Sequence, residues 1–189
     1  MGFLTLFGIG VGLSMDAFAV SVCKGLGMKK INYARALIVA LFFGGFQALM
    51  PLIGWILGIQ FESYIKSYDH WITFGLLAFI GGKMIVDAIR EGDSCPTAGK
   101  FDIKELLILA IATSIDALAV GVSFAFNEVN IAAAMAIIGV TTLVICLFGV
   151  IIGNKFGARY KSKATLVGGA ILILIGLKIL LEHLGVISF

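Results

Sequence analysis

Long, continuous apolar segments alternate with short polar connections along the whole chain. About 20 consecutive apolar residues are needed for an α-helix to cross the hydrocarbon core of a bilayer. Strands of a membrane barrel would instead alternate with a period of two over ~10 residues. The pattern therefore predicts an all-α membrane protein with six transmembrane helices, at about 3–23, 34–59, 69–89, 104–126, 130–152 and 164–183.

The composition excludes the main soluble classes. Of the 189 residues, 60% are hydrophobic and 13% are charged, and the mean hydropathy is +1.10. Soluble domains have ~45–50% apolar and ~25% charged residues, and disordered chains are less hydrophobic still. The connections are too short for an extramembrane domain. Residues 1–189 are therefore predicted to form a single transmembrane domain, with any chemistry within or between its helices.

Orientation is predicted from the cations, because short basic loops are retained in the cytoplasm. The first, third and fifth connections hold eleven of the fourteen Lys and Arg residues, and the fourth connection and both termini hold none. Both termini are therefore expected outside. The net charge of +3 is explained by topology and requires no nucleic-acid partner. Residues 1–23 lack the basic n-region of a signal peptide, so we expect a first membrane helix, interrupted by Asp16.

Aromatic residues and cysteines add two smaller expectations. An outer-face aromatic belt is expected at the second connection, formed by Trp55, Tyr64, Tyr68 and Trp71. Two acid–histidine pairs, Asp69-His70 and Glu182-His183, are expected on the same face as interfacial anchors; the alternative is that they line a release vestibule. The three cysteines have neither CxxC spacing nor an even count. We therefore expect no disulfide framework or thiolate metal site, and interpret Cys23 and Cys146 as small apolar helix residues.

An internal repeat relates the two halves of the chain. SMDAFAV at 14–20 recurs as SIDALAV at 114–120, an offset of 100 residues. Three glycines of the second segment recur in the fifth, and IGGKMIVD at 80–87 matches IGLKILLE at 175–182, both at an offset of 95. Each half has three crossings, so the second must enter the membrane from the opposite side. We predict inverted-topology repeats, about 3–89 and 104–183, joined by a cytoplasmic linker at about 90–103.

Asp16 and Asp116 occupy equivalent positions of the two repeats, and inversion places both near the bilayer centre. An ionised carboxylate there costs ~2.5–3.5 kcal/mol on insertion scales. The structural alternative is that each pairs with a lysine of another helix or caps a broken helix. The functional interpretation, which we favour, is that both bind a transported cation or carry protons.

Other oxygen-bearing side chains lie next to the two aspartates in the sequence or, in the second and fifth helices, at equivalent positions 95 residues apart. Hydroxyls and amides without a Cys or His cluster favour a hard to borderline divalent ion such as Mn²⁺ or Mg²⁺. Intramembrane hydroxyls also commonly bond to carbonyls of their own helix, and this alternative stays open for the Ser and Thr residues. With the two aspartates, the candidate metal ligands are Gln47, Ser14, Ser114, Thr113 and Thr142.

Two charge pairs recur with the repeat. Lys83 with Asp87, and Lys178 with Glu182, are spaced i,i+4 and so lie on one helix face. Snorkelling charges at helix ends would explain them. The alternative is a pair of gates that exchange partners as access alternates.

These motifs closely resemble the MntP family of bacterial manganese efflux pumps, within the LysE-like exporter superfamily. The resemblance covers essentially the full length, and its most specific segments are SMDAFAV at 14–20, FGGFQALMPLIGW at 43–55 and ATSIDALAVG at 112–121. It implies Mn²⁺ export across the cytoplasmic membrane, with Asp16 and Asp116 matching the family's intramembrane aspartates. Some relatives have Glu where this chain has Gln47, so the ligand charge there stays open.

The sequence thus predicts a secondary transporter of the bacterial plasma membrane, with Mn²⁺ as cargo. Proton exchange is the expected energy source, because no nucleotide motif is present. We expect no resident cofactor and no enzyme activity; the partners are the lipid bilayer and the ion, and a homo-oligomer is compatible with the pattern. Export of another divalent cation or of a cationic amino acid is the main alternative, and an intramembrane aspartyl enzyme is a more remote one.

Overall fold

Seven α-helices make up most of the structure, a computed structural model that describes residues 2–60, 69–92, 94–95, 101–127, 129–157 and 160–183. In chain order the helices are α1 Phe3–Leu26, α2 Tyr33–Ile59, α3 Asp69–Glu91, α4 Ile103–Thr113, α5 Ile115–Phe126, α6 Ile131–Phe156 and α7 Lys161–His183. Within these described ranges there is no strand. The predicted all-α class is confirmed.

Five of the spans are long and apolar enough to cross a membrane, counting α4 and α5 as the single span Ile103–Phe126. α3 has a similar length, 23 residues, but carries Lys83, Asp87 and Arg90 in its second half. Six crossings with both termini outside therefore remain a prediction. Tyr64, Tyr68 and Lys66 lie outside the described residues, as do the side chains of His70 and His183.

Three of the helices begin at side-chain caps. Asn32 Oδ1 accepts a hydrogen bond from the Arg35 amide at 3.1 Å, Asp102 Oδ1 from the Lys104 amide at 3.0 Å, and Asn130 Oδ1 from the Ala133 amide at 3.1 Å. Such caps satisfy amides that have no partner within the first turn of a helix. They explain why α2, α4 and α6 begin within one or two residues of the apolar segments.

Close helix contacts depend on glycine. At Gly54 a Cβ would collide with the Leu118 carbonyl of α5, and at Gly153 with the Val22 carbonyl of α1. α2 can therefore approach α5, and α6 can approach α1, only where a side chain is absent. All four glycines of the small-xxx-small segments Gly54–Gly58 and Gly149–Gly153 contact another helix in this way.

The buried apolar residues form two clusters, and each aspartate lies at the boundary between them. Leu13 and Ala117 belong to the first cluster, whereas Ala17 and Ala110 belong to the second. Asp16 therefore lies where α1 passes from the first cluster to the second, and Asp116 lies where the chain passes from the second cluster back to the first. Both aspartates therefore lie between the two apolar clusters.

The structure corrects the expectation for the cysteines. Cys23, at the end of α1, forms a disulfide with Cys95, which follows α3, with the two Cα atoms 5.3 Å apart. Spacing rules recognise local motifs such as CxxC, whereas these residues are 72 positions apart and are brought together by packing. Cys146 is buried and free, as expected.

We expect the disulfide to contribute to stability. Closing a loop of this length is typically worth about 2–4 kcal/mol. Reduction of the purified protein in detergent should therefore lower its thermal unfolding midpoint, and Cys95→Ser should lower it to the same extent. Cys146→Ser serves as the control, because this variant should still respond to reductant; a Cys95→Ser variant that also responds would contradict the assignment.

Candidate ion-binding site

A cavity of about 310 Å³ lies between α1, α3, α4 and α7. Its inner part is lined by Asp16 of α1 and Thr113 of α4, and Lys83 and Asp87 of α3 form another wall. Cys23 and Lys161 lie on the lining near the ends of α1 and α7. Because Asp16 and Cys23 are seven residues apart on one helix, the cavity extends about 10 Å along α1.

Asp116 lies close to this cavity but does not line it. Its carboxylate interacts electrostatically with Asp16 and with Lys83. One oxygen, Oδ1, accepts a hydrogen bond from the Ala117 amide at 2.9 Å. The other, Oδ2, is buried and has no hydrogen-bond partner among the described residues. The two candidate carboxylates, one from each half of the chain, therefore lie within electrostatic reach of each other.

A break in the helix positions Asp116. Ser114 has φ −106° and ψ 4°, ending α4 and preceding α5, so Asp116 lies in the first turn of a new helix. The amide groups of a helix N-terminus favour a negative charge there. By contrast α1 continues through Asp16 without interruption. The expected interruption of α1 at Asp16 is wrong; in the second half the helix breaks at Ser114, two residues before the equivalent Asp116.

Gln47 connects the two halves at this break. Its Nε2 donates to the Leu13 carbonyl of α1 at 3.1 Å, and its Oε1 accepts from Ser114 Oγ at 2.9 Å. The side chain is fully buried. Because its amide is already used at both ends, Gln47 holds α1 against the helix break, and it can bind an ion only through the remaining lone pair of Oε1.

The candidate hydroxyls bond mainly to their own helices. Ser14 donates to the Val11 carbonyl at 2.8 Å and Thr113 to the Ala110 carbonyl at 3.3 Å. Ser114 Oγ also lies 2.7 Å from the Ala110 carbonyl, an alternative to Gln47 for its single proton. Thr142 Oγ1 is buried and has no partner among the described residues. A hydroxyl that donates to a carbonyl retains its lone pairs, so these bonds are compatible with a ligand role.

The family model described as a putative manganese efflux pump, Mntp, matches residues 30–180. The chain belongs to the MntP family.

Relatives described as putative manganese efflux pump MntP match it over nearly their whole length. The chain is 56% identical to one from Acetivibrio thermocellus, covering 100% of this chain and 96% of that protein. It is 59% identical to one from Desulfitobacterium hafniense, and this match covers 98% of this chain and 97% of that protein. No solved structure matches the chain significantly. Membership of the MntP family, with the apolar spans, identifies a multi-pass protein of the bacterial plasma membrane.

The two charge pairs of this MntP chain have different surroundings. Lys178 and Glu182 form an ion pair at 3.3 Å, with side chains 50% and 41% exposed. Lys83 and Asp87 instead line the cavity. Only the first-repeat pair is therefore placed beside the candidate site, a difference that the sequence repeat does not reveal.

Some residues of the cavity were missed from the sequence. Lys161, Ser162 and Thr165 of α7 line it, yet the sequence suggested only an orienting role for Lys161. Lys161 Nζ donates to the Ser94 carbonyl at 2.8 Å, and Ser162 Oγ donates to the Ala88 carbonyl at 2.9 Å. These bonds connect the start of α7 to the end of α3. The sequence feature that could have identified these residues is the polar Lys-Ser-Lys segment at 161–163, which begins an otherwise apolar helix.

Proposed function

We propose that the protein exports Mn²⁺ across the plasma membrane as a secondary transporter. The observation that carries the proposal is that Asp16 and Asp116, one from each half of the chain, lie within electrostatic reach of each other. Asp116 Oδ2 is also buried without a hydrogen-bond partner among the described residues. The family match and the names of the relatives support Mn²⁺ as cargo.

The chemistry of the site suits this ion. Two carboxylates balance the charge of one divalent cation, so a bound ion lowers the electrostatic cost of both acids in the membrane. The nearby oxygens of Thr113, Ser114 and Gln47 are hard ligands suited to Mn²⁺. A partly hydrated ion could use some of them through water, and we propose Asp16 and Asp116 as its direct ligands.

Reciprocal contacts support the inverted repeat. Gly54 faces Leu118, and Gly149, its counterpart 95 residues later, faces Phe18, the counterpart of Leu118. Gly58 with Val122 and Gly153 with Val22 repeat this relation. Gly44 and Gly139 are each other's counterparts and contact each other, as expected for residues beside a two-fold axis. We therefore propose that the two halves are related by a pseudo-two-fold axis near Gly44 and Gly139.

The location of the cavity suggests the state of the transport cycle. It extends from Asp16 towards the ends of α1 and α3 and the start of α7, the side on which the basic connections predict the cytoplasm. An ion would therefore enter from the cytoplasm in this conformation. Rocking of one half against the other would then close this entrance and open an outer one, with proton exchange as the proposed energy source.

Lys83 has a role in this cycle. It lies in the cavity with Asp16 and interacts electrostatically with Asp116. We propose that its ammonium group balances the carboxylates when no metal is bound. An incoming divalent cation would displace it electrostatically, so the two cations compete for one pair of acids.

The proposal is tested in proteoliposomes that contain an Mn²⁺-sensitive fluorophore. We expect saturable Mn²⁺ flux above that of protein-free liposomes, and a dependence on an imposed proton gradient. Excess lysine should not reduce the Mn²⁺ flux. The reduction of this flux by Cd²⁺ or Co²⁺ measures the selectivity of the protein among divalent ions. Absence of flux for every divalent ion, or inhibition by lysine, would exclude Mn²⁺ export in favour of other cargo.

A further inference from the structure

A second, basic pocket of about 560 Å³ lies at the end of α1 and the start of α2, and it shares no lining residue with the ion cavity. Four cations line it, Lys24, Lys29, Lys30 and Arg35, and the described residues of its lining include no carboxylate. Lys24 is buried and paired with Glu105 of α4 at 2.8 Å. The other three cations have no such carboxylate partner among the described residues and leave the pocket strongly positive.

Two sets of contacts hold the residues around the pocket in place. Arg35 is held over the ring of Phe101, with its guanidinium carbon 5.3 Å from the ring centroid, and such cation–π contacts restrict the side chain. Asn154 Nδ2 of α6 donates to the Gly25 and Met28 carbonyls at 3.3 and 2.7 Å. These contacts fix the loop that presents Lys29 and Lys30.

An apolar groove follows on the same helix. It has a volume of about 310 Å³ and is lined by Leu41, Phe42, Gly45, Phe46 and Leu49. Leu37, Leu41, Gly45 and Leu49 are spaced by four residues and so share one face of α2, and all four are exposed. Arg35 and Gly45 are ten residues apart, or about 15 Å along the helix, which is the thickness of one leaflet of the ~30 Å hydrocarbon core.

We propose that the basic pocket and this groove form one binding site for an anionic phospholipid. Its phosphate group would lie among Lys29, Lys30 and Arg35, and one acyl chain would lie in the groove over Gly45. Basic pockets between membrane helices on the cytoplasmic side commonly bind anionic headgroups. The groove favours a lipid over free phosphate, because free phosphate has no apolar part that could bind in a groove at the depth of the acyl chains. The site does not depend on the transported ion.

The test uses the purified full-length protein in a neutral detergent. Phosphatidylglycerol and phosphatidylcholine with identical acyl chains are titrated, and binding is measured by native mass spectrometry and by the shift in thermal unfolding midpoint. We expect phosphatidylglycerol to bind at least about 10-fold more tightly than phosphatidylcholine. Equal binding of the two lipids would overturn the proposal.

Two variants separate the headgroup from the acyl chain. Lys29→Gln/Lys30→Gln should weaken phosphatidylglycerol binding about 10-fold or more. Its matched control is Lys155→Gln/Lys163→Gln, which removes two exposed cations from another basic connection and should leave binding unchanged. Equal weakening by both double variants would mean general charge attraction and would overturn the site.

Gly45→Phe fills the groove without changing charge, and a Cβ at Gly45 meets nothing within 4 Å, so the fold should tolerate it. This variant should weaken phosphatidylglycerol binding and leave the response to inorganic phosphate unchanged. If inorganic phosphate stabilises the wild type as much as phosphatidylglycerol does, and Gly45→Phe has no effect on the lipid, the pocket is a soluble-anion site and the lipid proposal fails.

Discussion

Asp116→Asn should abolish Mn²⁺ transport while the protein still folds. The substitution removes the charge but keeps an oxygen that can accept the Ala117 amide hydrogen bond, and Oδ2 has no other partner among the described residues to lose. Even an outer-shell partner of a metal ligand is typically worth about 10–100-fold, so loss of a direct ligand should reduce flux by more than about 100-fold. Initial rates in proteoliposomes measure this effect.

Asp16→Asn should have a similar effect, because Asp16 supplies the other carboxylate. Asp102→Asn is the matched control: Asp102 is exposed and caps α4, a role that Asn also performs. This control should transport as the wild type does. Normal Mn²⁺ flux by Asp116→Asn, at equal expression and unfolding midpoint, would contradict the assigned site.

Lys83→Gln should bind Mn²⁺ more tightly and yet transport it more slowly. Removing the ammonium group removes its repulsion of the ion. Two unit charges ~8 Å apart at an effective dielectric constant of 20 interact by about 2 kcal/mol, so a divalent ion is repelled by about 4 kcal/mol, or roughly 1,000-fold in affinity. The empty carrier would then have to reorient with two uncompensated carboxylates, which slows its return. Calorimetric titration with Mn²⁺ and turnover in proteoliposomes measure the two effects separately.

Lys178→Gln provides the comparison for Lys83. It removes the equivalent lysine of the other repeat, whose side chain is half exposed and paired with Glu182. We expect little change in affinity or turnover. If both lysine variants change Mn²⁺ affinity equally, a general effect of net charge explains the result and Lys83 has no special role.

Several features of the site were predictable from local sequence. Asp16 and Asp116 stand out because a charge inside an apolar segment is costly wherever the helix lies. Their pairing was expected from the repeat, and the structure brings them within electrostatic reach. The glycine contacts at Gly54 and Gly149 were also predictable, since small residues spaced by four form a smooth helix face.

Other features could not be read from local patterns. The break at Ser114 lies at the first residue of a motif almost identical to the one in α1, yet α1 stays helical at Ser14. The Gln47 bridge, the Cys23–Cys95 disulfide and the basic pocket each join residues that are distant in the chain. Hydropathy and spacing describe one segment at a time and carry no information about which segments meet.

The amino-acid sequence by itself determined the all-helical membrane class, the family and the positions of the two membrane carboxylates. The family follows from its motifs. The class and the importance of the carboxylates follow from the cost of exposing apolar surface to water and of placing charge in lipid, and both costs act on each segment wherever its neighbours lie. Only the tertiary structure decided that Lys83 faces the cavity whereas Lys178 pairs at the surface. Two nearly identical segments acquire different roles because packing gives them different neighbours, and electrostatic energy depends on those neighbours.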